Sequence, residues 1–340
     1  MPKTPTTSAA TSKKFNYTVH KRPSAPFYRK VLGGIFATCF ALSYLVTLPY
    51  ILLSIYVLWD YFVRSALPGW MIWTTVPFVI STIVPTQHSP FFVKHVVDSM
   101  IDYFEFSEIR ETSDEELLEF FGKGRTAILA AQPHGVVSFT GMCSGSFCID
   151  EFRKIKTAAA SVVTSVPILK HVMGIFGLID ASKKSIVRHM KKGGAAGSIV
   201  IYIGGIAELF KSSRKEERLY LSKRKGFIKL ALTTGSDILP LYLLGNTHSL
   251  TVVKSGPLAA ISRKMGVSIT YFWGWKNLPI PRPDKLVYVR GRLLGMPKIE
   301  EPTQEDIDFW HKKYCDEVER IFETYKGACP GYENKKFYID

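Results

Sequence analysis

Two long stretches near the start of the chain carry almost no charge. Tyrosine and cysteine are the only ionisable residues from Val31 to Trp59, and His88 is the only one from Ser65 to Val93. An apolar helix of roughly 20 residues spans a bilayer, so the first stretch is long enough to cross, whereas four prolines interrupt the second. The pattern predicts a membrane hairpin over residues 31–93, with helices at about 33–57 and 69–86.

A cleaved signal peptide is the competing interpretation of this start. A signal core has about 7–15 apolar residues, so the first stretch is too long for one, and a retained helix is favoured. The hairpin either crosses the bilayer or enters it and turns back. Both versions leave the chain after residue 93 on the same side as the basic first residues, which the positive-inside rule places in the cytosol.

The rest of the chain alternates between buried strands and helices. Short apolar runs that predict strands recur at 127–131, 158–163, 198–203, 238–244, 267–272 and 286–289. Segments with helical spacing lie among them at 168–176, 185–190 and 227–232. A capping box at Ser113 predicts a short helix, and apolar positions at steps of three and four predict a last helix over residues 302–327. This alternation predicts an α/β fold with a mainly parallel sheet over residues 94–340.

Charge and composition narrow the class of partner. The chain has 44 Lys and Arg against 29 Asp and Glu, a formal charge of +15, which suits an anionic partner such as a membrane surface or a phosphate group. No zinc spacing, aromatic RNA-reading motif or basic dimerisation helix is present, which argues against nucleic acid. Residues 1–30 hold basic residues and no acid, and they predict a disordered cytosolic tail. The five cysteines form no close pair, so neither a disulfide framework nor a metal site is expected.

The turn after the strand at 127–131 is the first candidate for chemistry. It reads Pro133-His134-Gly135, in which proline fixes the backbone and glycine allows close approach around one imidazole. If a helix begins near Val136, the free N–H groups of this turn could receive an oxyanion beside a histidine base. A purely structural histidine is the alternative interpretation.

Two further segments follow strands in the same way. Gly204-Gly205 ends the strand at 198–203 and is followed by Glu208, which could orient His134 or meet a polar head group; a carboxylate that only caps a helix is the alternative. Arg224-Lys225-Gly226 begins a predicted helix after a basic run, where phosphates bind well. The phosphates of coenzyme A would suit this segment, although a solvated basic face is the more common role of such a run.

The order of these motifs resembles the type-2 diacylglycerol acyltransferase family, which includes monoacylglycerol acyltransferases and some wax synthases. The resemblance runs from about residue 103 to residue 326. It rests on Tyr103-Phe104, the His-Pro-His-Gly signature ending in His134-Gly135, the Gly-Gly-x-x-Glu element at 204–208, the Arg-x-Gly-Phe block from 224 to 246, and the final helix. Each motif alone is weak, but five in the same order are specific.

The resemblance implies a membrane-bound acyl-CoA:diacylglycerol O-acyltransferase with a glycerolipid-acyltransferase-like α/β domain. It implies that His134 is the catalyst, acting as a general base in direct transfer from acyl-CoA to a lipid hydroxyl, and it gives acyl-CoA as a substrate with no further cofactor. Triacylglycerol synthesis in the endoplasmic reticulum membrane, with the catalytic domain facing the cytosol and an association with lipid droplets, is the expected setting. The expected partners are acyl-CoA, diacylglycerol and membrane lipids, and a homo-oligomer is one option.

Three positions depart from the family pattern. Gln132 replaces the first histidine of the signature, Lys170 stands where a Pro-x-x-Arg element has arginine, and Asn246 replaces a residue that is often acidic. Because glutamine cannot titrate, a mechanism that needs two histidines is excluded, while one that needs only His134 survives. These changes leave the acceptor open among diacylglycerol, monoacylglycerol, fatty alcohol and sterol.

Two other classes of function stay in view. Gly141-Met-Cys143-Ser-Gly145 has the Gly-x-nucleophile-x-Gly spacing of a hydrolase elbow, with cysteine for serine, and so allows a lipid hydrolase. A non-catalytic membrane scaffold that lost activity together with the first histidine is the second. A hydrolase elbow needs a strand directly before the nucleophile and a helix directly after it.

Overall fold

A computed structural model describes residues 6–12, 15–256 and 271–340 of the chain. Its described part contains thirteen strands: β1 Thr6–Ser12, β2 Phe15–Lys21, β3 Ser107–Arg110, β4 Ala127–Gln132, β5 Lys156–Ala159, β6 Ile179–Asp180, β7 Ile199–Tyr202, β8 Glu216–Leu219, β9 Asp237–Leu244, β10 Thr251–Val252, β11 Phe272–Trp273, β12 Val287–Arg290 and β13 Lys336–Ile339. The strand predicted at 267–272 falls mostly outside the described residues.

Nine of these strands form one sheet in the order β1-β2-β3-β12-β9-β4-β7-β5-β6. Strand β4 runs parallel to both neighbours, with Ile128 opposite Ile199 of β7 and Ile238 of β9. Strands β5 and β6 continue the parallel arrangement, and β12 is antiparallel to β9. The prediction of a mixed α/β fold around a mainly parallel sheet is therefore confirmed.

Helices cover both faces of this sheet. The α-helices of the described residues are α1 Phe27–Trp59, α2 Val76–Ile83, α3 Pro90–Phe92, α4 Asp98–Tyr103, α5 Asp114–Gly122, α6 Phe139–Phe147, α7 Ser161–Ser165, α8 Leu169–Gly174, α9 Lys183–Met190, α10 Gly194–Gly197, α11 Ile206–Leu209, α12 Gly226–Thr234, α13 Asn246–Ser249 and α14 Gln304–Tyr325. Helices α9, α12 and α14 pack on one face with Ile128 and Ala130 of β4. Helices α1, α4, α5 and α6 pack on the other face with Ala127, Leu129 and Ala131.

The two helix starts with sequence signals form as predicted. Ser113 and Thr303 each close a capping box, and each accepts the backbone N–H of the third helical residue. His311 of α14 is buried, with its Nε2 2.9 Å from the carbonyl oxygen of Leu221. The hydrogen bond explains how an imidazole is accommodated there.

One helix among the described residues is long and apolar enough to cross a membrane, by length and composition alone. It comprises α1 and a π-helical continuation to Arg64. The second predicted membrane helix is shorter and irregular: residues 69–75 form a 3₁₀ helix and only α2 is α-helical. Pro77 lies at the start of α2, where a backbone N–H would have no partner within the helix. The helix ends at Ile83, before Pro85.

The described residues of the first thirty, 6–12 and 15–30, contain two strands instead of the predicted disordered tail. Strands β1 and β2 form a hairpin, and β2 pairs with β3 at the edge of the main sheet. Arg22 and Arg29 form ion pairs with Asp98, and Arg29 also pairs with Asp102. Composition alone missed this because the partners of the basic residues lie about seventy residues away in sequence.

Candidate active site

The candidate site lies where three neighbouring parallel strands end. Strand β4 leads into Pro133-His134-Gly135, β7 leads through Gly204-Gly205 to Glu208 in α11, and β9 leads through Gly245 to Asn246. Because β4 lies between β7 and β9 in parallel register, the three segments meet at one edge of the sheet. This is the place where open α/β sheets bind ligands.

The imidazole of His134 is held in one tautomer. Its Nδ1 lies 2.7 Å from the carbonyl oxygen of Gly135; a carbonyl only accepts hydrogen bonds, so Nδ1 donates and Nε2 carries the free lone pair. Burial lowers the pKa of His134 below its ordinary value, although the bond to Gly135 opposes this shift. The ring is therefore neutral and basic at Nε2 near neutral pH.

The side chain of Glu208 holds the backbone of the histidine turn. Its Oε2 accepts the backbone N–H of His134 at 3.0 Å, and its Oε1 accepts that of Tyr220 at 3.4 Å. Glu208 could orient the imidazole directly, according to the sequence, but in the structure it contacts the main chain of His134 instead. Burial raises the pKa of Glu208 to about 8, with the charge of Glu217 contributing.

Glycines make room for these contacts. A Cβ on Gly204 would lie 1.9 Å from Oε1 of Glu208, so only glycine leaves space for the carboxyl group there. Gly205 has a φ of +57°, a conformation that glycine adopts without strain. Gly135 has a φ of +64°, and a Cβ there would lie 2.8 Å from Nδ2 of Asn246. Gly204 is therefore required by the Glu208 side chain, and Gly135 and Gly205 by their positive φ.

Asn246 also binds the main chain of the histidine turn. Its Nδ2 donates to the carbonyl oxygens of Pro133 and His134 at 3.1 and 2.6 Å, and its Oδ1 accepts from the backbone and hydroxyl of Thr140. The sequence drew attention to Asn246 only as a departure from the family pattern. Its role depends on β9 lying beside β4, which a single sequence does not show.

A cavity of about 1370 Å³ opens onto His134. This exceeds the roughly 300–1,000 Å³ of ordinary small-molecule sites, so it has room for a long-chain ligand. Its walls are mainly apolar and come from α1, α6, α8 and the strands β4, β7 and β9; His134, Val136 and Gly205 also line it. Residues Phe40 to Ile51 of α1 reach the cavity, so the helix that could enter a membrane also forms part of its wall.

Two hydroxyl groups lie beside the histidine. The ring of Tyr202 meets that of His134 edge to face, with centroids 4.9 Å apart, and its hydroxyl lies 2.7 Å from that of Ser138. Both residues line the cavity. Sequence reasoning missed them, because a tyrosine at the end of a buried strand resembles an ordinary core residue.

The basic segment is only partly at the cavity. Arg224 lines it, with its guanidinium over the ring of Tyr220. Lys225 instead forms an ion pair with Asp308 at 2.7 Å, and it does not line the cavity. Gly226 begins α12 and has open space around it. Of the residues expected to bind coenzyme A phosphates, Arg224 is the one the fold places at the cavity.

The expected helix near Val136 begins later, at Phe139. Residues 136 and 137 form a bend, because Glu208 and Asn246 hold the main chain of the turn before it. In the described part of the chain no acceptor receives the N–H groups of Gly135 and Val136. These groups are therefore still available to a ligand, without being part of a helix end.

The side chain of Gln132 lies on the other face of the sheet. It is fully buried, and its Oε1 accepts a hydrogen bond from the hydroxyl of Tyr314 in α14. Neighbouring strand residues point to opposite faces, so Ala131 lines the cavity while Gln132 does not. The position that lacks the family's first histidine is therefore directed away from the cavity.

The hydrolase alternative is contradicted by the position of Cys143. Residues 141–145 lie inside α6, not at a strand-to-helix elbow. The thiol is completely buried, and burial raises its pKa well above the ordinary range. A protonated, inaccessible thiol cannot act as a nucleophile. No group of three or more metal-binding side chains occurs among the described residues.

Comparisons with known proteins agree with the motifs. The pattern of the family described as diacylglycerol acyltransferase matches residues 81–336. Diacylglycerol O-acyltransferase 2 of Dictyostelium discoideum is 28% identical over 260 residues, 70% of this chain and 76% of that protein. The protein of the same name from Homo sapiens is 28% identical over 223 residues, 59% of this chain and 57% of that protein. The chain thus spans less than two thirds of the human relative's length.

A relative with a different printed name matches to the same degree. The 2-acylglycerol O-acyltransferase 3 of Homo sapiens is 28% identical over 226 residues, 60% of this chain and 66% of that protein. No solved structure matches the chain significantly.

Proposed function

The chain belongs to the diacylglycerol acyltransferase family, a family of acyltransferase enzymes, and we propose that it transfers an acyl group from acyl-CoA to the hydroxyl of diacylglycerol. The product is triacylglycerol. The observation that carries the proposal is a neutral histidine in a large apolar cavity, whose Nε2 has no hydrogen-bond partner among the described residues. Acyl-CoA is a substrate, and no further cofactor takes part.

His134 acts as the general base. Its Nε2 removes the proton from the acceptor hydroxyl while the oxygen attacks the thioester carbonyl, and no acyl-enzyme forms. A base must be unprotonated at the working pH, and the lowered pKa of His134 keeps it so. Glu208 and Asn246 fix the main chain on either side of the ring, which limits misplacement of Nε2.

The N–H groups of Gly135 and Val136 stabilise the developing oxyanion. They belong to the same turn as the base, and no acceptor in the described residues satisfies them. Pro133 fixes the direction from which the turn leaves β4. Donors that are already oriented before the reaction stabilise the transition state without paying for reorganisation.

The coenzyme phosphates bind at the segment Arg224-Lys225-Gly226. Arg224 is at the cavity already, and Lys225 joins it on leaving Asp308. The partly exposed start of α12 adds its free N–H groups to this site. A guanidinium is well suited to phosphate because it donates in a fixed planar geometry.

The chain acts at the endoplasmic reticulum membrane, with residues 94–340 as the catalytic domain on the cytosolic side, and associates with lipid droplets. Residues 31–93 form the membrane hairpin. Exposed apolar side chains on α1, on the 3₁₀ segment 69–75 and on α2, such as Leu52, Leu53, Trp73 and Ile83, support membrane contact. Diacylglycerol then enters from the bilayer past the part of α1 that lines the cavity.

The acceptor is tested with membranes from a host that makes no neutral lipid. Wild-type protein is given labelled acyl-CoA with diacylglycerol, monoacylglycerol, fatty alcohol or sterol in turn. Triacylglycerol as the main product is the expected result. Faster use of monoacylglycerol would instead indicate the activity that is named for the human relative 2-acylglycerol O-acyltransferase 3. The absence of any ester product would contradict the proposal and favour the scaffold.

A further inference from the structure

The hydroxyl groups of Ser138 and Tyr202 form a pair on the wall of the cavity. Their oxygens are 2.7 Å apart, and the tyrosine ring lies edge to face against the ring of His134, with planes at 68°. Both side chains line the same cavity as the base. The pair therefore lies beside the base, on the wall of the cavity in which a thioester would bind.

The hydrogen bond between the two hydroxyl groups leaves one hydroxyl proton without an acceptor among the described residues. Two hydroxyl groups carry two protons, and a single hydrogen bond between them uses one. In the part of the chain that the structure describes, no other acceptor bonds either hydroxyl. Burial raises the pKa of Tyr202, so the phenol keeps its proton. One hydroxyl hydrogen is left to be donated into the cavity.

The local structure favours this pair over a simpler use of each residue. Ser138 occupies the N-cap position of α6 but makes no capping hydrogen bond, although serine normally caps there. A Cβ on Gly141 would lie 2.2 Å from the Tyr202 hydroxyl and 2.9 Å from that of Ser138. The serine thus gives up a stabilising bond, and a helix glycine clears the space that the pair occupies.

We propose that the Ser138–Tyr202 pair donates a hydrogen bond to the oxyanion of the tetrahedral intermediate. This inference rests on the proposed acyl transfer. The acceptor oxygen forms a bond to the thioester carbon, its proton passes to Nε2 of His134, and the carbonyl oxygen becomes the oxyanion that the pair stabilises. When the carbonyl re-forms, the carbon–sulfur bond breaks and the thiolate takes the proton from the imidazolium.

The test compares Tyr202→Phe, Ser138→Ala and the double variant with wild type and His134→Ala. In each single variant the remaining hydroxyl can still turn its proton to the oxyanion, so the loss is partial. The double variant is expected to lose about 10²–10³ in kcat, the usual effect of removing an oxyanion donor, with KM for acyl-CoA unchanged. Tyr325→Phe is the control, because its hydroxyl bonds Glu111 outside the cavity; its kcat should equal that of wild type.

The possible results separate this inference from the function on which it rests. If His134→Ala is inactive while the double variant keeps its wild-type kcat, the pair is not a donor and acyl transfer stands. A raised KM with unchanged kcat would also overturn the inference, since the pair would then bind the ground state. If wild type transfers no acyl group, both the proposed acyl transfer and the donor role of the pair are contradicted. If the double variant does not fold, Tyr202→Phe decides, because it removes only the hydroxyl: a partial loss of kcat would support the inference, and a wild-type kcat would overturn it.

Discussion

Glu208 contacts the main chain of His134 and not its ring: the carboxyl oxygen Oε2 accepts the His134 N–H at 3.0 Å. The ring is oriented separately, by the carbonyl oxygen of Gly135. A carboxylate partner on the imidazole would raise the histidine pKa, whereas this arrangement leaves it lowered by burial. Glu208 is thus a positioning residue in this structure.

Removal of the Glu208 carboxyl group should destabilise the turn. Glu208→Ala removes the acceptor of the partly buried N–H groups of His134 and Tyr220. A lost acceptor costs up to about 1–3 kcal/mol when the donor is buried, so the free energy of unfolding of detergent-solubilised protein should fall. Glu208→Gln keeps one acceptor oxygen and should lose less. Wild-type stability in Glu208→Ala would contradict the assigned contacts.

Comparison of wild type with Glu208→Gln also gives a pH test. The folded-state pKa of Glu208 is raised to about 8 from an ordinary value of 4.5, so the folded state binds the proton more tightly than the unfolded state. The stability that this proton contributes is full below about pH 4.5 and is lost as the pH rises through about 8. The unfolding free energy of wild type should therefore decline across this window relative to that of Glu208→Gln.

Gly204→Ala should reproduce the loss of Glu208 without touching it. The added methyl would overlap Oε1 of Glu208, so the carboxyl group must move and release the histidine turn. We expect a large loss of kcat. Gly122→Ala is the matched control, because Gly122 ends α5 and nothing lies within 4 Å of its Cβ position. Equal activity of both variants would show that the space at Gly204 is not needed.

Asn246→Asp should impair activity. Nδ2 of Asn246 donates to two carbonyl oxygens, and a carboxylate would place a second acceptor against them. We expect a cost of about 1–3 kcal/mol in unfolding free energy and a fall in kcat. The exposed Asn277→Asp should stay within about 0.5 kcal/mol of wild type. An unaffected Asn246→Asp would mean that the turn holds without this residue.

The sequence predicted the positions of the site better than its contacts. The ends of β4 and β7 were predicted correctly because buried apolar runs followed by glycine are local signals. Contacts across strands depend on the strand order, which local signals do not contain. For this reason the links from Glu208 to the His134 main chain and from Asn246 to the same turn were not predicted. At Gln132 the sequence suggests that the site has lost a histidine. It does not show that the side chain at this position lies on the face of β4 away from the cavity.

Substitutions of Arg224 and Lys225 should raise KM for acyl-CoA to different degrees. Arg224→Ala is expected to raise KM for acyl-CoA by about tenfold or more, since a charged hydrogen bond contributes about 1.5–3 kcal/mol. Lys225→Ala should have a smaller effect, because its ammonium group is already paired with Asp308. Initial rates at varied acyl-CoA concentration measure both. The reverse order would place the coenzyme on the Lys225 side of α12.

The most direct test of the account is the rate of acyl transfer by His134→Ala beside wild type, at equal expression and across pH. A general base contributes about 10²–10⁴ in rate, so the variant should lose at least that much. Wild-type kcat/KM should fall on the acid side with a midpoint below the ordinary histidine value of 6.5, because only the neutral ring accepts a proton. Transfer by His134→Ala at a rate near that of wild type would contradict the assignment of His134 as the base.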